Sequence, residues 1–409
     1  VVKPAHVADV VTVIQFARRI GWQVASRGTG HSQGGQSQCK DGLVIDTRNL
    51  NRIVALNLAD GWVIAEAGML WGDLVRAVVG YGLMPPVLTD NLAVTIGGTL
   101  SVGGVGPASF KAGLQVDHCL GLEVVLGTGE VAWLSPEHEP ELFQHVLAGL
   151  GGFGLITKAK LRLRPFRPLT ASVYLSYGSL EAFLSDASLL MQRDQIWLLE
   201  GAARPLMGLR HRYVLEVSVE AAEAAEVDRH QLSQGLKPEV ISPLVEWPTP
   251  AHLFRLEKRF EGYRHPVALG YAHPWVEHYL PSEVVAAYVD TIAAWFPATP
   301  FLLWPMQREA LRLPTFALPD TPEVVLVGIM ASMPANQSGE LLPLLQRASS
   351  LGIDLGGKRY LSGWLSFSQA EWQSHYGAVR WQRLLMLKQQ FDPDHILQAL
   401  PFEGGNRHV

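Results

Sequence analysis

Cysteine is nearly absent: the chain of 409 residues has two, Cys39 and Cys119. Two cannot make a disulfide framework, and no CxxC or Cys/His spacing offers a metal site. They read as ordinary thiols, which leaves the compartment open. Charge is scarce as well, at 17% of residues, and nearly balanced, with 33 basic against 38 acidic side chains and a net charge of −5. Such a chain has no basic footprint for nucleic acid and no pull toward an anionic membrane surface. No run of residues reaches the ~18 apolar positions of a membrane-spanning helix. No leader peptide is visible, although the opening VVKPAHVADVV reads as the middle of a domain. With 48% hydrophobic residues, a soluble packed globule is expected.

Glycine, by contrast, is plentiful at 39 residues, and it gathers at the joints between elements. The length exceeds one ordinary core, so two lobes are expected. PAHVADVVTVIQFARRI has helical spacing over 4–20, with Pro4 near its start. WQVASRG then reads as a strand ending in a glycine loop. DHCLGLEVVLGTGEVAWL reads as a hairpin with GTG at its turn. LFQHVLAGLGGFGLITKAKLRLRP reads as helix, glycine turn and strand. Strands and helices thus alternate over 1–168, a mixed pattern that suits α+β or α/β. A second lobe is expected over 169–370, with IWLLEGAARPL and HRYVLEVSVE as neighbouring strands and helices near 282–296 and 339–350. The segment 371–409 carries an amphipathic helix stopped at Asp392-Pro393.

Three glycine clusters fall in the first lobe: RGTGHSQGGQ at 27–36, TDNLAVTIGGTLSVGGVG at 89–106 and GLGGFGLIT at 149–157. The first is not a dinucleotide fingerprint, because Gln33 stands where GxGxxG needs its third glycine. It also lacks the GK[ST] of a P-loop. What remains is a loop rich in backbone N–H groups, suited to a pyrophosphate. Its imidazole, His31, could be a metal ligand, a base, a structural histidine or a covalent tether. Three clusters in one lobe suggest one extended ligand touched several times by backbone. FAD, with a pyrophosphate, a ribityl chain and a flat ring, is such a ligand.

RGTGHS followed by GQ, then TDNLAVTIGGTLSVGG, then GLGGFGLITKAKLRLRP resemble the vanillyl-alcohol-oxidase-type flavoproteins, and within them cytokinin dehydrogenase. AHPWVEHYLP, EWQSHYG and FDPDHIL extend the resemblance over nearly the whole chain, in family order. The resemblance implies a two-lobed α+β flavoprotein with an FAD-binding domain at 1–168, a substrate cap at 169–370 and a C-terminal segment at 371–409. It implies that Arg27, Gly28, Thr29, Gly30, His31, Ser32 and Gln36 hold FAD, with His31 bonded covalently to the flavin. Asp90, Thr95, Gly98, Ser101, Ile156 and Tyr360 match further positions around the cofactor. A second tether through cysteine is not expected, because the corresponding position is about Asn91.

The family's reaction is oxidative cleavage of N6-substituted adenines. Asp90 matches the catalytic aspartate, where a carboxylate would stabilise charge on N6 and accept its proton. Thr-Asp-Asn is also ordinary turn chemistry, which gives Asp90 a second reading as a cap. Glu200 is the candidate for a second acid touching substrate at the funnel mouth, with solvated strand end as its alternative. Trp275 is the candidate wall against the purine, with core filler as its alternative. Three departures stand out: Leu88 replaces the family's tryptophan and the segment between Glu200 and Trp275 is short, both of which alter the region that selects substrate, and LQALPFEGG replaces the FAD-holding Leu-Ser-Pro-Gly-Gln tail. The expected partners are a cytokinin-like adenine derivative and an electron acceptor, oxygen or a quinone. The competing readings are a flavin oxidase of an alcohol, sugar or secondary metabolite, and a flavin-binding protein without turnover. Nucleic-acid binding has no basic patch behind it.

Overall fold

The computed structural model describes residues 1–206, 211–262, 270–311, 313 and 315–399. Its first helix, Val7–Ile20, begins later than the proline-led expectation. The Asp9 carboxylate accepts from the backbone N–H of Ala5 and His6, both at 2.9 Å, and so sets the start at Val7. Gly21, at φ 71°, ends the helix in the left-handed region. Val10, Ile14 and Ala17 form its buried stripe.

The first lobe holds a parallel pair, Val24–Arg27 with Leu43–Asp46, and a five-stranded antiparallel sheet. That sheet runs, in spatial order, Ile53–Asn57, Trp62–Glu66, Leu155–Arg162, Cys119–Val125 and Val131–Leu134. The hairpin read from GTG is the last pair. Cys119 is buried there, and burial pushes its thiol up to about 12, so it stays protonated and inert.

The second lobe is a nine-stranded sheet in which every pairing is antiparallel. Its centre runs Leu169–Tyr177, His211–Ala221, Leu198–Pro205, Phe301–Gln307, Glu323–Ile329 and Val276–Pro281. The strands around LLEGAARP and HRYVLEV are neighbours, as their alternation suggests. Helices Leu180–Met191, Val285–Trp295 and Ser338–Asp354 pack on this sheet. Along the strands, Ala171, Val173, Leu175, Leu199, Ala203, Leu215 and Val217 are buried at every second position. The residues between them, including Tyr174, Glu200, Ala202 and Glu216, therefore lie on the opposite face. The chain is thus a two-lobed α+β fold, with no parallel doubly wound sheet among the described residues.

One hydrophobic core runs through both lobes, and a smaller one lies under the first helix. The second includes Ile396 and Leu397, brought there by the C-terminal segment. Helix Ala378–Phe391 precedes it, and Leu397 bridges to Val24. No helix among the described residues is long and apolar enough to cross a membrane.

Candidate functional site

A cavity of about 610 Å³ is lined by residues of both lobes. The glycine loop supplies one wall. Gly30 and Gly35 have φ of 71° and 78°, so the chain there takes a path that a side chain would strain. At Gly28 the reason is close approach, since a Cβ would stand 2.0 Å from the Thr95 hydroxyl. The first two glycine clusters thus pack directly on each other. Thr95 caps the short helix Ile96–Leu100 by accepting from the Gly98 N–H at 3.3 Å.

Hydrogen bonds bolt this loop to the second lobe. Gln36 donates to the carbonyls of Leu361 and Gly363 at 3.0 and 3.1 Å. The Gln33 N–H donates to Ser362 O at 3.3 Å, and the Trp275 N–H donates to Gln33 Oε1 at 2.7 Å. His31 stands against Trp275 edge-on, with ring centroids 5.8 Å apart, and its Nε2 is 3.5 Å from Asn91 Nδ2. Tyr360 is buried beside the same seam. Burial raises its pKa, with the Glu277 charge adding to the rise and Val105, Gly104 and Ser362 pulling the other way.

Arg27, Gly28, Thr29, Gly30, His31, Ser32, Gln36, Asp90, Thr95, Gly98, Ser101, Ile156, Trp275 and Tyr360 all line the cavity. Glu200 does not. Its carboxylate, expected at a funnel mouth, is instead engaged by Arg255. The register explains why. Glu200 lies directly opposite Glu216, which has Tyr174 on its other side. Two acids facing each other across a strand pair repel, so a cation must come between them. Arg255 does so, pairing with Glu200 and standing 3.7 Å from Glu216. His252, on helix Thr249–Leu253, adds an Nε2 contact to Glu216 at 3.4 Å. Burial works against the Glu216 charge, but His252, Arg255 and Tyr174 bring its pKa below the ordinary value. Glu200 is pushed up, first by burial and then by the charge of Asp90.

The turn at 89–91 is built without the Asp90 side chain. Thr89 Oγ1 donates to Asn91 O at 3.0 Å, and Asn91 Oδ1 accepts from the Ala93 N–H at 3.0 Å. Asp90 Oδ1 is buried with no hydrogen-bond partner among the described residues. Burial raises the Asp90 pKa, while Arg255 pulls it down. Leu88, the replacement for tryptophan, is 8% exposed, belongs to the core and does not line the cavity. In the altered tail, Gln398 Nε2 donates to Gln38 O at 2.8 Å, bracing the glycine loop from behind. Residues 400–405 of that tail lie outside the described residues.

Sequence reasoning missed Glu277, Trp304 and Arg255. Glu277 and Trp304 line the cavity, and Arg255 orders the acids beside it. For Glu277 a signal existed: it follows Trp275 by two residues, and an extended chain puts such positions on one face. For Arg255 none did, because its partners sit 55 and 39 positions away.

Residues 1–135 match the model of an FAD binding domain, and residues 247–400 match that described as cytokinin dehydrogenase 1, FAD and cytokinin binding. A protein named cytokinin dehydrogenase 8 from Oryza sativa subsp. indica is 32% identical, over 91% of this chain and 81% of its own length. Cytokinin dehydrogenase 1 of Arabidopsis thaliana is 28% identical, over 97% of this chain and 77% of its own. An uncharacterized oxidoreductase, ORF5 of the fasciation locus of Rhodococcoides fascians, is 28% identical over 97% of this chain and 91% of its own.

Proposed function

The chain belongs to the cytokinin dehydrogenase family of FAD-dependent oxidoreductases, and we propose that it oxidises an N6-alkenyl adenine at the side-chain carbon next to N6. The product imine then takes up water and falls apart to adenine and an aldehyde. The observation that carries this reading is Asp90, a carboxylate on the cavity wall whose Oδ1 is buried without a partner and which no turn, cap or ion pair among the described residues uses.

The cavity suits FAD on its own features. Arg27 lines it with Nε buried and no hydrogen-bond partner, and no ion pair satisfies its guanidinium among the described residues. A pyrophosphate would supply the missing acceptors and charge. When bound, FAD supplies the two-electron acceptor for the hydride. The backbone of 27–36 would hold the pyrophosphate, with Gly28 admitting Thr95 and Gly98 beside it. His31 is the proposed covalent tether, on the seam where Trp275 and the 360–363 loop meet the glycine loop.

Asp90 holds the proton lost from N6 as the carbon gives up its hydride, and its charge stabilises the developing cation on that nitrogen. Glu200 takes a different part from the one first expected. Through Arg255 it keeps a positive charge near Asp90, which opposes the upward pull of burial on that carboxyl. Trp275 offers the flat wall. The electron acceptor for the second half of turnover is oxygen or a quinone.

The test is anaerobic mixing of the yellow protein with isopentenyladenine. Bleaching of the visible flavin absorbance, with adenine recovered, is expected. Flavin that stays oxidised with this substrate while dithionite still reduces it would shift the reading to an alcohol, sugar or secondary metabolite.

A further inference from the structure

Two carboxyls line the cavity, and the mechanism above uses one of them. The other is Glu277, on strand Val276–Pro281, 7% exposed. Its surroundings leave it unpaired. On the next strand its register partner is Gly328, which has no side chain to offer. Arg359 is the nearby cation, itself buried, but three of its five N–H donors go elsewhere and no ion pair joins it to Glu277 among the described residues. Nε goes to the backbone carbonyl of Glu277 at 3.2 Å, Nη1 to Ser349 Oγ at 2.6 Å and Nη2 to Trp364 O at 2.5 Å. Ser362 Oγ donates to Glu277 Oε2 at 3.3 Å, and the other oxygen has no partner among the described residues.

A buried carboxylate without an ion pair is costly, so the protonated form is favoured up to a higher pH than usual. Burial pushes Glu277 up to about 7, with Arg359 and Ser362 pulling the other way. The remaining titratable groups against it are Tyr360 and Tyr279, both raised and neutral. A protonated carboxyl is a hydrogen-bond donor, which an ionised one is not. It stands on the wall that carries Trp275, beside the 360–363 loop that clamps the glycine loop. A flat ring held at that seam would present its acceptor atoms there.

We propose that Glu277 is a ligand-binding residue whose neutral carboxyl donates a hydrogen bond to an acceptor atom of a nitrogen heteroaromatic ring bound in the cavity. The ring is that of the flavin or that of the adenine-type substrate, and the inference rests on the flavoenzyme reading above. Ionisation turns the donor into a second acceptor, so binding of that ring weakens as pH rises through the titration of Glu277.

The experiment uses the holoenzyme and its Glu277→Gln variant, which keeps volume and donor but cannot ionise. Adenine, which has no side chain to oxidise, is titrated from pH 6 to 9 and followed by perturbation of the flavin absorbance. The flavin reduction potential is measured over the same range. If the substrate ring is the acceptor, adenine affinity of the unmutated protein falls about tenfold per pH unit above about pH 7, while the variant stays flat. If the flavin is the acceptor, the potential of the unmutated protein falls away from that of the variant. The gap grows by about tenfold in the reduction equilibrium per pH unit, or about 30 mV for a two-electron couple. Parallel curves in both measurements overturn the proposal. If adenine binds neither protein at any pH, the substrate reading fails, and the potentials alone decide the role of Glu277.

Discussion

At Asp90 and His31 the proposed roles can be tested one side chain at a time. The 89–91 turn is satisfied by Thr89 and Asn91, so the Asp90 carboxylate is not needed as a cap. Its alternative reading as turn chemistry therefore belongs to the residues on either side. Asp90→Asn keeps the shape and removes the base. It should lower kcat by about 10²–10⁴ while leaving the flavin spectrum and content unchanged. A rate within a few-fold of the unmutated protein would remove Asp90 from the chemistry. For His31 the measurement is retention of colour. Unmutated protein precipitated with acid should keep its flavin in the pellet, and His31→Ala should release it to the supernatant. Release from both would mean that the cofactor is held without a covalent bond.

At the scale of elements, the informative arrangement is two acids placed opposite each other on adjacent strands. Strand alternation puts Glu200 on the face opposite the buried Leu199 and Ala203, and register sets it against Glu216. Arg255, which arrives just after helix Thr249–Leu253, is the cation that both acids face. Arg255→Met should destabilise the protein by about 3–5 kcal/mol, because it leaves buried charge uncompensated. It should also move the acidic limb of the pH profile of kcat/KM upward. The sign follows from Arg255 pulling the Asp90 pKa down: without it, Asp90 stays protonated to a higher pH. A limb that does not move would reduce Arg255 to a structural role.

The whole molecule is closed by its C-terminal segment. Lys388, on helix Ala378–Phe391, is 2% exposed. It donates to Asp392 Oδ2 at 2.6 Å, to Leu397 O at 2.6 Å and to Gly152 O at 2.9 Å. Asp392 in turn accepts from the N–H groups of Ile396 and Leu397 at 2.9 and 2.8 Å. One buried ammonium thus ties the last helix to the third glycine cluster, and Leu397 to the strand that leads into the first. Lys388→Met should cost about 3–5 kcal/mol in denaturant unfolding, since Asp392 would be left buried and unpaired. Paired with Asp392→Leu, only part of that loss should return, because the buried charge is gone but the N–H groups of Ile396 and Leu397 lose their acceptor.

The glycine clusters, the strand and helix periodicities and the family motifs are local features, so the sequence alone was enough to read a mixed helix-and-strand chain, which the family motifs narrowed to α+β, and to point to the 27–36 loop and Asp90, whose residues line one cavity. Leu88 shows the limit of such reading. As a motif departure it suggested a changed substrate region, yet the chain folds it into the core, off the cavity wall. Glu200 and Glu277 show the same limit from opposite sides. Both are strand residues with similar local surroundings in sequence. Glu200 is ion-paired and off the cavity, while Glu277 is on it and has no ion pair among the described residues. What separates them is which distant side chain arrives opposite: Arg255 for the first, Gly328 for the second. Burial and pairing set the charge of a carboxyl, and both are properties of residues far apart in the chain that meet only when the two lobes are packed.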